Sequence, residues 1–313
     1  MPVPEKIRKE DGFFAEMRRN RSMYLMMTPG ILFFLVFAYI PMIGIIIAFQ
    51  NYNPVLGLFG SKFVGFDNFA FFFLSGQWKS VMINTLFLNT IFIISGMSMA
   101  IFLAVMLSEV GSKYYKKIGQ TIMTLPHFIA WPIVGMMLYG ILATDSGLIN
   151  TTLKSFGLER VMFYQEPGVW PPILVLSRIW KGAGWSSIIY LAAITSIDSE
   201  IYESARIDGA SRFKMIMRIT LPLLRPIAVL LLIFNIGGMF SVDFGMIYNL
   251  VGDSARLYPT TDVIDTFVFR MLRIAGQPGM AGAVGLLQSF LGFIFVLGAN
   301  TLARKFSPES AIF

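Results

Sequence analysis

Residues Tyr202–Pro222 read YESARIDGASRFKMIMRITLP, a polar, charge-bearing stretch set between two very apolar ones. Its pattern predicts two short helices joined at Asp208-Gly209. Asp-Gly is a turn signal, with glycine supplying the backbone freedom a corner needs. Glu203 and Arg206 stand three apart and support the first helix. Asp208 is placed to cap the second. Phe213, Ile216, Met217 and Thr220 are expected on one side of that second helix, with Arg212, Lys214 and Arg218 elsewhere. An amphipathic element of this size either lies on anionic lipid or inserts as an anchor into a partner's groove.

The chain around it is a membrane protein by composition. Of 313 residues, 56% are hydrophobic and only 14% are charged, where a soluble domain is nearer a quarter charged. The absence of cysteine excludes disulfide frameworks, iron–sulfur clusters and thiol nucleophiles. A single histidine, His127, excludes a multi-histidine metal site. The net charge of +7 reads as the basic bias of cytoplasmic loops rather than as a nucleic-acid surface.

A bilayer core of about 30 Å needs roughly 20 mostly apolar helical residues. Six segments meet that need: Tyr24–Phe49, Val81–Leu107, Ile118–Ala143, Trp170–Ile194, Leu221–Leu250 and Ala281–Ala303. The first is too long for a signal-peptide core and is preceded by over 20 residues, so it is read as a retained span. The fifth is too long to be straight, and Gly237-Gly238 near its middle predicts a bend. Sixteen lysines and arginines lie in the N-terminal tail, alternate loops and C-terminal tail, counting Arg225 just inside the fifth span, against seven in the other loops. The positive-inside rule therefore puts both termini, and the opening stretch, in the cytoplasm. The expected division is a basic N-terminal segment over 1–23, a six-helix transmembrane domain over 24–306 with its loop at 199–222, and a cytoplasmic tail over 307–313. The outer segments Asn51–Lys79, Thr144–Gly168 and Val251–Gly279 are long enough for short interfacial or re-entrant helices.

Catalytic signatures are missing. No G-x-x-x-x-G-K-[ST] phosphate loop, H-E-x-x-H or G-x-S-x-G occurs, so this chain is not expected to hydrolyse ATP or to be an enzyme. Asp243 is the one clear carboxylate within a span, too few for a carboxylate proton relay.

The opening stretch resembles the EAA loop of binding-protein-dependent ABC importer permeases, E-A-A-x-x-D-G-A followed by an apolar helix and I-x-L-P. Glu203-Ser204-Ala205, Asp208-Gly209-Ala210, Phe213, Ile216 and Ile219-Thr220-Leu221-Pro222 carry the match, with Ser204 standing where the second alanine is usual. Thr28-Pro29-Gly30 and the FVGFDNF run, Phe63–Phe69, are similar to the carbohydrate branch, specifically to permeases for oligosaccharides of complex polysaccharides. The resemblance implies an all-α, six-span type I permease fold in a bacterial cell membrane. It implies a second related permease subunit in a heterodimer, two cytoplasmic ATPase subunits and an extracytoplasmic solute-binding protein. ATP and magnesium would be bound by the ATPase partner, with no cofactor on this chain. Glu203, Ser204, Ala205, Asp208, Gly209, Ala210 and Phe213 would form the ATPase-docking element. A stand-alone secondary transporter or channel for small polar solutes is the alternative, and it has no reason to carry this motif.

Sugars need hydrogen-bonding groups and flat aromatic faces, so polar residues sharing a helical face are the candidate path. In the third span Gln120, Thr124, His127 and Trp131 recur at i, i+4, i+7 and i+11, one stripe, with Pro126 and Pro132 free to bend it. In the fourth, Arg178, Lys181 and Trp185 share a face. Each charge costs about 2.5–3.5 kcal/mol at mid-bilayer, so these must face water, a partner or the headgroup region. A cavity position for them would favour an acidic oligosaccharide. Asn235 and Asp243 complete the candidates in the fifth span. Asn84 and Asn89 are read as glue between helices before lining. Gly282, Gly285, Ser289 and Gly292 form a small-residue stripe, read first as packing within the subunit.

Overall fold

The computed structural model describes residues 13–306. Lys6, Arg8 and Lys9 of the basic segment and the 307–313 tail lie outside the described residues. Most of the described residues are helical; the one sheet among them pairs the two-residue strands β1 (Gln50–Asn51) and β2 (Lys62–Phe63). After α1 (Phe13–Arg19), helix α2 (Arg21–Phe34) runs through a π-turn at Leu35–Tyr39 into a 3-10 helix at Ile40–Phe49. Pro29 and Pro41 explain the irregularity, since each removes a backbone donor from the helical ladder. The short α3 (Gly57–Gly60) and α4 (Asp67–Leu74) precede the long α5 (Trp78–Ser108).

The third predicted span is not one helix. It is α6 (Lys113–Thr124), a 3-10 turn at Leu125–Phe128, and α7 (Trp131–Leu142), bent by 95°. Pro126 tightens the turn and Pro132 starts the new helix, each where a missing N–H costs least. Next come α8 (Leu148–Ser155), α9 (Trp170–Thr195), α10 (Ser199–Ile207) and α11 (Arg212–Met215). A π-turn at Ile216–Thr220 leads into α12 (Leu221–Gly237). This fifth span breaks at Gly238, where a bend was expected, and resumes as α13 (Phe244–Val251). The chain closes with α14 (Tyr258–Thr261), α15 (Ile264–Arg273) and α16 (Pro278–Phe306).

Among the described residues, four helical segments are long and apolar enough to cross a bilayer, and the bent pair makes a fifth if it is one span. Helix α9 has 26 residues, about 39 Å of helix, but Arg178 and Lys181 make it less apolar. It is nevertheless the centre of the bundle, packed along α5. Leu88 and Phe92 of α5 meet Trp170 and Leu174 of α9 and Met246, Ile247 and Leu250 of α13 in one core. Nearer the Tyr202–Pro222 loop, Ala100 and Ala104 meet Tyr190, Leu191 and Leu224 in a second. A third joins Phe72, Val81, Phe240, Phe267 and Val284 at the far end.

Backbone freed by the break after Gly238 has to be satisfied, because lipid offers no hydrogen bonds. Asn89 Nδ2 donates to the carbonyls of Met239 (2.7 Å) and Ser241 (3.2 Å). Gln288 Nε2 donates to Phe240 O at 2.8 Å. Asp265 accepts from the Val242 N–H at 2.7 Å, and burial pushes its carboxyl above the usual range. Asn84 Nδ2 likewise donates to Tyr258 O and Asp262 O. Both asparagines are buried and act as glue. The small-residue stripe of α16 divides: Gly282 meets Ala48 and Gly292 meets the Gly237 carbonyl, whereas a Cβ on Gly285 would meet open space and Ser289 is exposed.

Candidate functional site

Helices α5, α9, α12 and the two breaks enclose a cavity of about 300 Å³. Its wall includes His127, Trp131, Arg178, Lys181, Asn235 and Asp243, six of the nine residues proposed for the path. They come from three predicted spans and meet because two of those spans break there. The first half of the bent pair ends at His127-Phe128, where free carbonyls carry partial negative charge. Lys181 Nζ donates to the His127 carbonyl at 2.6 Å. Its ammonium also lies 5.2 Å from the Trp131 ring centroid, so two neighbours offset its removal from water. Trp131 Nε1 donates to Asp243 Oδ2 at 2.6 Å, while Asp243 Oδ1 caps α13 by accepting from the Met246 N–H at 3.1 Å. One carboxylate thus ties the start of α7 to the start of α13. Gly135 permits this approach: a Cβ there would lie 2.3 Å from the Asn249 carbonyl oxygen.

Arg178 stacks its guanidinium 5.1 Å from the Phe92 centroid and feels the charge of Asp243. It makes no hydrogen bond or ion pair among the described residues, so its five donors remain for a ligand. Both cations face the cavity rather than the headgroup region. Set against one carboxylate, they leave the wall with a surplus positive charge. The remaining candidates divide. Trp185 stacks on His127 with centroids 4.6 Å apart and planes 5° from parallel, beside the cavity. Gln120 and Thr124 do not line it. The continuous stripe expected of the third span is corrected by the 95° bend, and the Thr124 hydroxyl is used by its own helix, donating to Gln120 O and Thr121 O. Asn235 lines the wall with its Nδ2 committed to Leu231 O. The residues not anticipated include Phe92, Ser186 and Tyr190. Gly182, Ser186 and Tyr190 follow Arg178 at steps of four, a spacing that was available to find them. The Tyr190 hydroxyl is buried and has no partner among the described residues.

At one end of the bundle the Tyr202–Pro222 stretch forms the expected corner. Asp198 caps α10 by accepting from Glu200 N at 3.0 Å. The helix ends in a Schellman motif: Ala210 N bonds to Ala205 O and Gly209 N to Arg206 O, with Gly209 at φ +74°. A Cβ at Gly209 meets nothing within 4 Å, so glycine is required there for its backbone and not for space. Two details differ from the sequence expectation. Asp208 closes α10, and Ser211 caps α11 by accepting from Lys214 N at 3.3 Å. The π-turn shifts the apolar register, so Met215 and Thr220 are buried while Phe213 is exposed. Glu203, Ser204, Asp208 and Gly209 are also exposed, with Ala205 and Ala210 half-buried. Ile207 and Phe213, 87% and 72% exposed, give the corner an uncovered apolar edge.

The profile of the family described as "Binding-protein-dependent transport system inner membrane component" matches residues 93–307, more than half of the chain. The chain belongs to this family. Among curated relatives, the Bacillus subtilis (strain 168) polygalacturonan/rhamnogalacturonan transport system permease protein YteP is 38% identical, covering 97% of this chain and 94% of the relative. Among solved structures, a bacterial ABC transporter involved in import of the acidic polysaccharide alginate is 38% identical with a TM-score of 0.86, covering 95% of this chain and 100% of that one. A bacterial alginate ABC transporter in complex with an alginate pentasaccharide-bound periplasmic protein gives 0.85 at 38% identity, covering 95% of this chain and 99% of that one. The membrane fold is therefore that of an importer permease, and the chain is an inner-membrane transport component.

Proposed function

We propose that this chain is one permease subunit of an ATP-driven importer of acidic oligosaccharides, and that Arg178 and Lys181 receive the sugar carboxylates. The observation that carries this is two cations from one helix facing a cavity that holds a single carboxylate, with Arg178 unpaired among the described residues. A charge inside a span is retained where it faces water or a ligand. The planar guanidinium suits bidentate carboxylate binding, and Trp131 and the His127–Trp185 pair supply aromatic faces for sugar rings. The relatives named for polygalacturonan and alginate transport support the same substrate class.

The Glu203–Phe213 corner docks a cytoplasmic ATPase. Both termini are cytoplasmic on this reading, a second related permease completes the path, and an extracytoplasmic solute-binding protein delivers cargo to the far end. That delivery is supported by the alginate complex with its periplasmic protein. ATP and magnesium belong to the ATPase pair, whose closure moves the corner and flips access to the cavity between the two faces of the membrane. The test is purification of the tagged chain with its neighbours, followed by reconstitution. MgATP-dependent, binding-protein-dependent uptake of an oligogalacturonate, with an ATPase subunit present in the purified complex, is expected. Uptake driven by an ion gradient with no ATPase subunit in the complex would instead identify a secondary transporter.

A further inference from the structure

The hydroxyl of Tyr202 lies 2.9 Å from Thr220 Oγ1, joining two residues 18 positions apart. Tyr202 sits in the middle of α10, on the side turned toward the bundle. Thr220 is 3% exposed and closes the π-turn from which α12 starts. Around it, Ile216 and Leu221 pack against the core formed by Ala100, Ala104, Tyr190 and Leu224. A threonine inside a helix ordinarily spends its hydroxyl on the carbonyl four residues back, as Thr85, Thr90 and Thr121 do here. Thr220 does not, and its hydroxyl crosses the corner instead.

Two other connections join corner and bundle: the chain enters α10 from α9 through the short link Ser196–Asp198, and one exposed side-chain pair reaches α5. Arg212 approaches Glu109 of α5 at 3.9 Å with 80% and 41% of their side chains exposed, a pair that water and salt screen. Through the backbone, α10 reaches α12 only past the Gly209 turn, the four-residue α11 and the π-turn. Without a cross-tie, force applied to α10 would be absorbed in those joints before it reached α12.

We infer that the Tyr202–Thr220 hydrogen bond is the strut that makes α10, α11 and the root of α12 move as one body. Tyr202 is a positioning residue for energy coupling, and is distinct from the exposed residues that touch the ATPase. This rests on the docking role proposed above for the corner. The strut separates two properties that a docking contact would lose together. With it removed, the ATPase still binds, but its closure no longer turns α12 and the cavity.

The experiment uses the complete transporter in proteoliposomes, with the solute-binding protein loaded with an oligogalacturonate. Tyr202→Phe keeps the ring and removes the hydroxyl; Thr220→Val keeps the shape and removes the partner hydroxyl; Thr220→Ser restores it. The first two should copurify with the ATPase subunit at wild-type yield and hydrolyse MgATP at the unstimulated rate. Their stimulation by loaded binding protein, and their uptake, should fall at least tenfold. The double variant should be no worse than either single one, and Thr220→Ser should keep half or more of wild-type uptake. Wild-type stimulation and uptake in Tyr202→Phe would overturn the strut. So would loss of ATPase copurification in that variant, because Tyr202 would then be part of the docking surface. If the wild-type complex contains no ATPase subunit, the docking role itself fails, and the strut with it.

Discussion

Replacing Gly184 with alanine tests how the cavity is held together. A Cβ at this position would lie 1.9 Å from the Met123 carbonyl oxygen and 2.4 Å from its carbon. Both are backbone atoms of α6 and have no rotamer to escape into. An ordinary carbon-to-oxygen approach is about 3.3 Å, so α6 must retreat from α9 by roughly 1.4 Å. That retreat stretches the 2.6 Å bond from Lys181 Nζ to His127 O to about 4 Å, beyond hydrogen-bond range. It also opens the 4.6 Å stack of His127 on Trp185. Overpacking of this kind costs about 1–3 kcal/mol. In a detergent melting assay Gly184→Ala should unfold several degrees below wild type, and in reconstituted vesicles its uptake should fall at least tenfold. The control is Gly140→Ala, whose Cβ would meet open space; a helix-interior alanine there should be neutral or slightly stabilising. A Gly184→Ala protein that melts and transports like wild type would refute the close crossing of α6 over α9 and the cavity geometry built on it.

Four further outcomes follow from the same geometry. Asn89→Ala leaves the Met239 and Ser241 carbonyls without their donor and should cost about 1–3 kcal/mol, read as a lower melting temperature in detergent. Asp262→Ala strips Arg270, whose side chain is 12% exposed, of its 2.6 Å partner; breaking such a pair costs about 3–5 kcal/mol, and limited proteolysis should then cut first around α14 and α15. Gly209→Ala forces a non-glycine residue to φ +74° at about 1–2 kcal/mol, so uptake should fall severalfold while the amount of protein in the membrane is unchanged. Burial holds the Asp265 carboxyl above its unfolded value, near pH 4. Its contribution is therefore complete below that value and fades as pH rises through the folded value. The stability gap between wild type and Asp265→Asn should shrink with rising pH, and a gap that widens would contradict the burial.

Much of this was legible because hydropathy and turn chemistry are local. The Asp208-Gly209 corner follows from a glycine that can adopt positive φ, and the break near Gly237-Gly238 from a span too long to be straight. The 95° bend was not legible. Pro126 and Pro132 mark where α6 can yield, but the direction of α7 is set by α13, more than a hundred positions away, through the Trp131–Asp243 bond. For the same reason the spacing groups Gln120 and Thr124 with His127 and Trp131, and the bend separates them. The stripe assumed one helix axis, and the chain has two. That Asn84 and Asn89 act as glue is legible from their place in an apolar span, whereas what they glue, the backbone of distant segments, depends on tertiary contacts. Within the corner, the π-turn moves Phe213 outward and Thr220 inward, a register shift that no spacing rule contains.

The most direct measurement is the ratio of initial uptake rates for an oligogalacturonate and a neutral oligosaccharide of equal length, in wild type and in Arg178→Gln/Lys181→Gln. A carboxylate about 4 Å from a cation gains at most a few kcal/mol at an effective dielectric near 20, before desolvation, and a tenfold preference needs only about 1.4 kcal/mol. Wild type should prefer the acidic sugar at least tenfold, and the double variant should bring the ratio near one by losing acidic uptake. Equal loss of both sugars in the variant would contradict the assignment of Arg178 and Lys181 to the cargo's carboxylates.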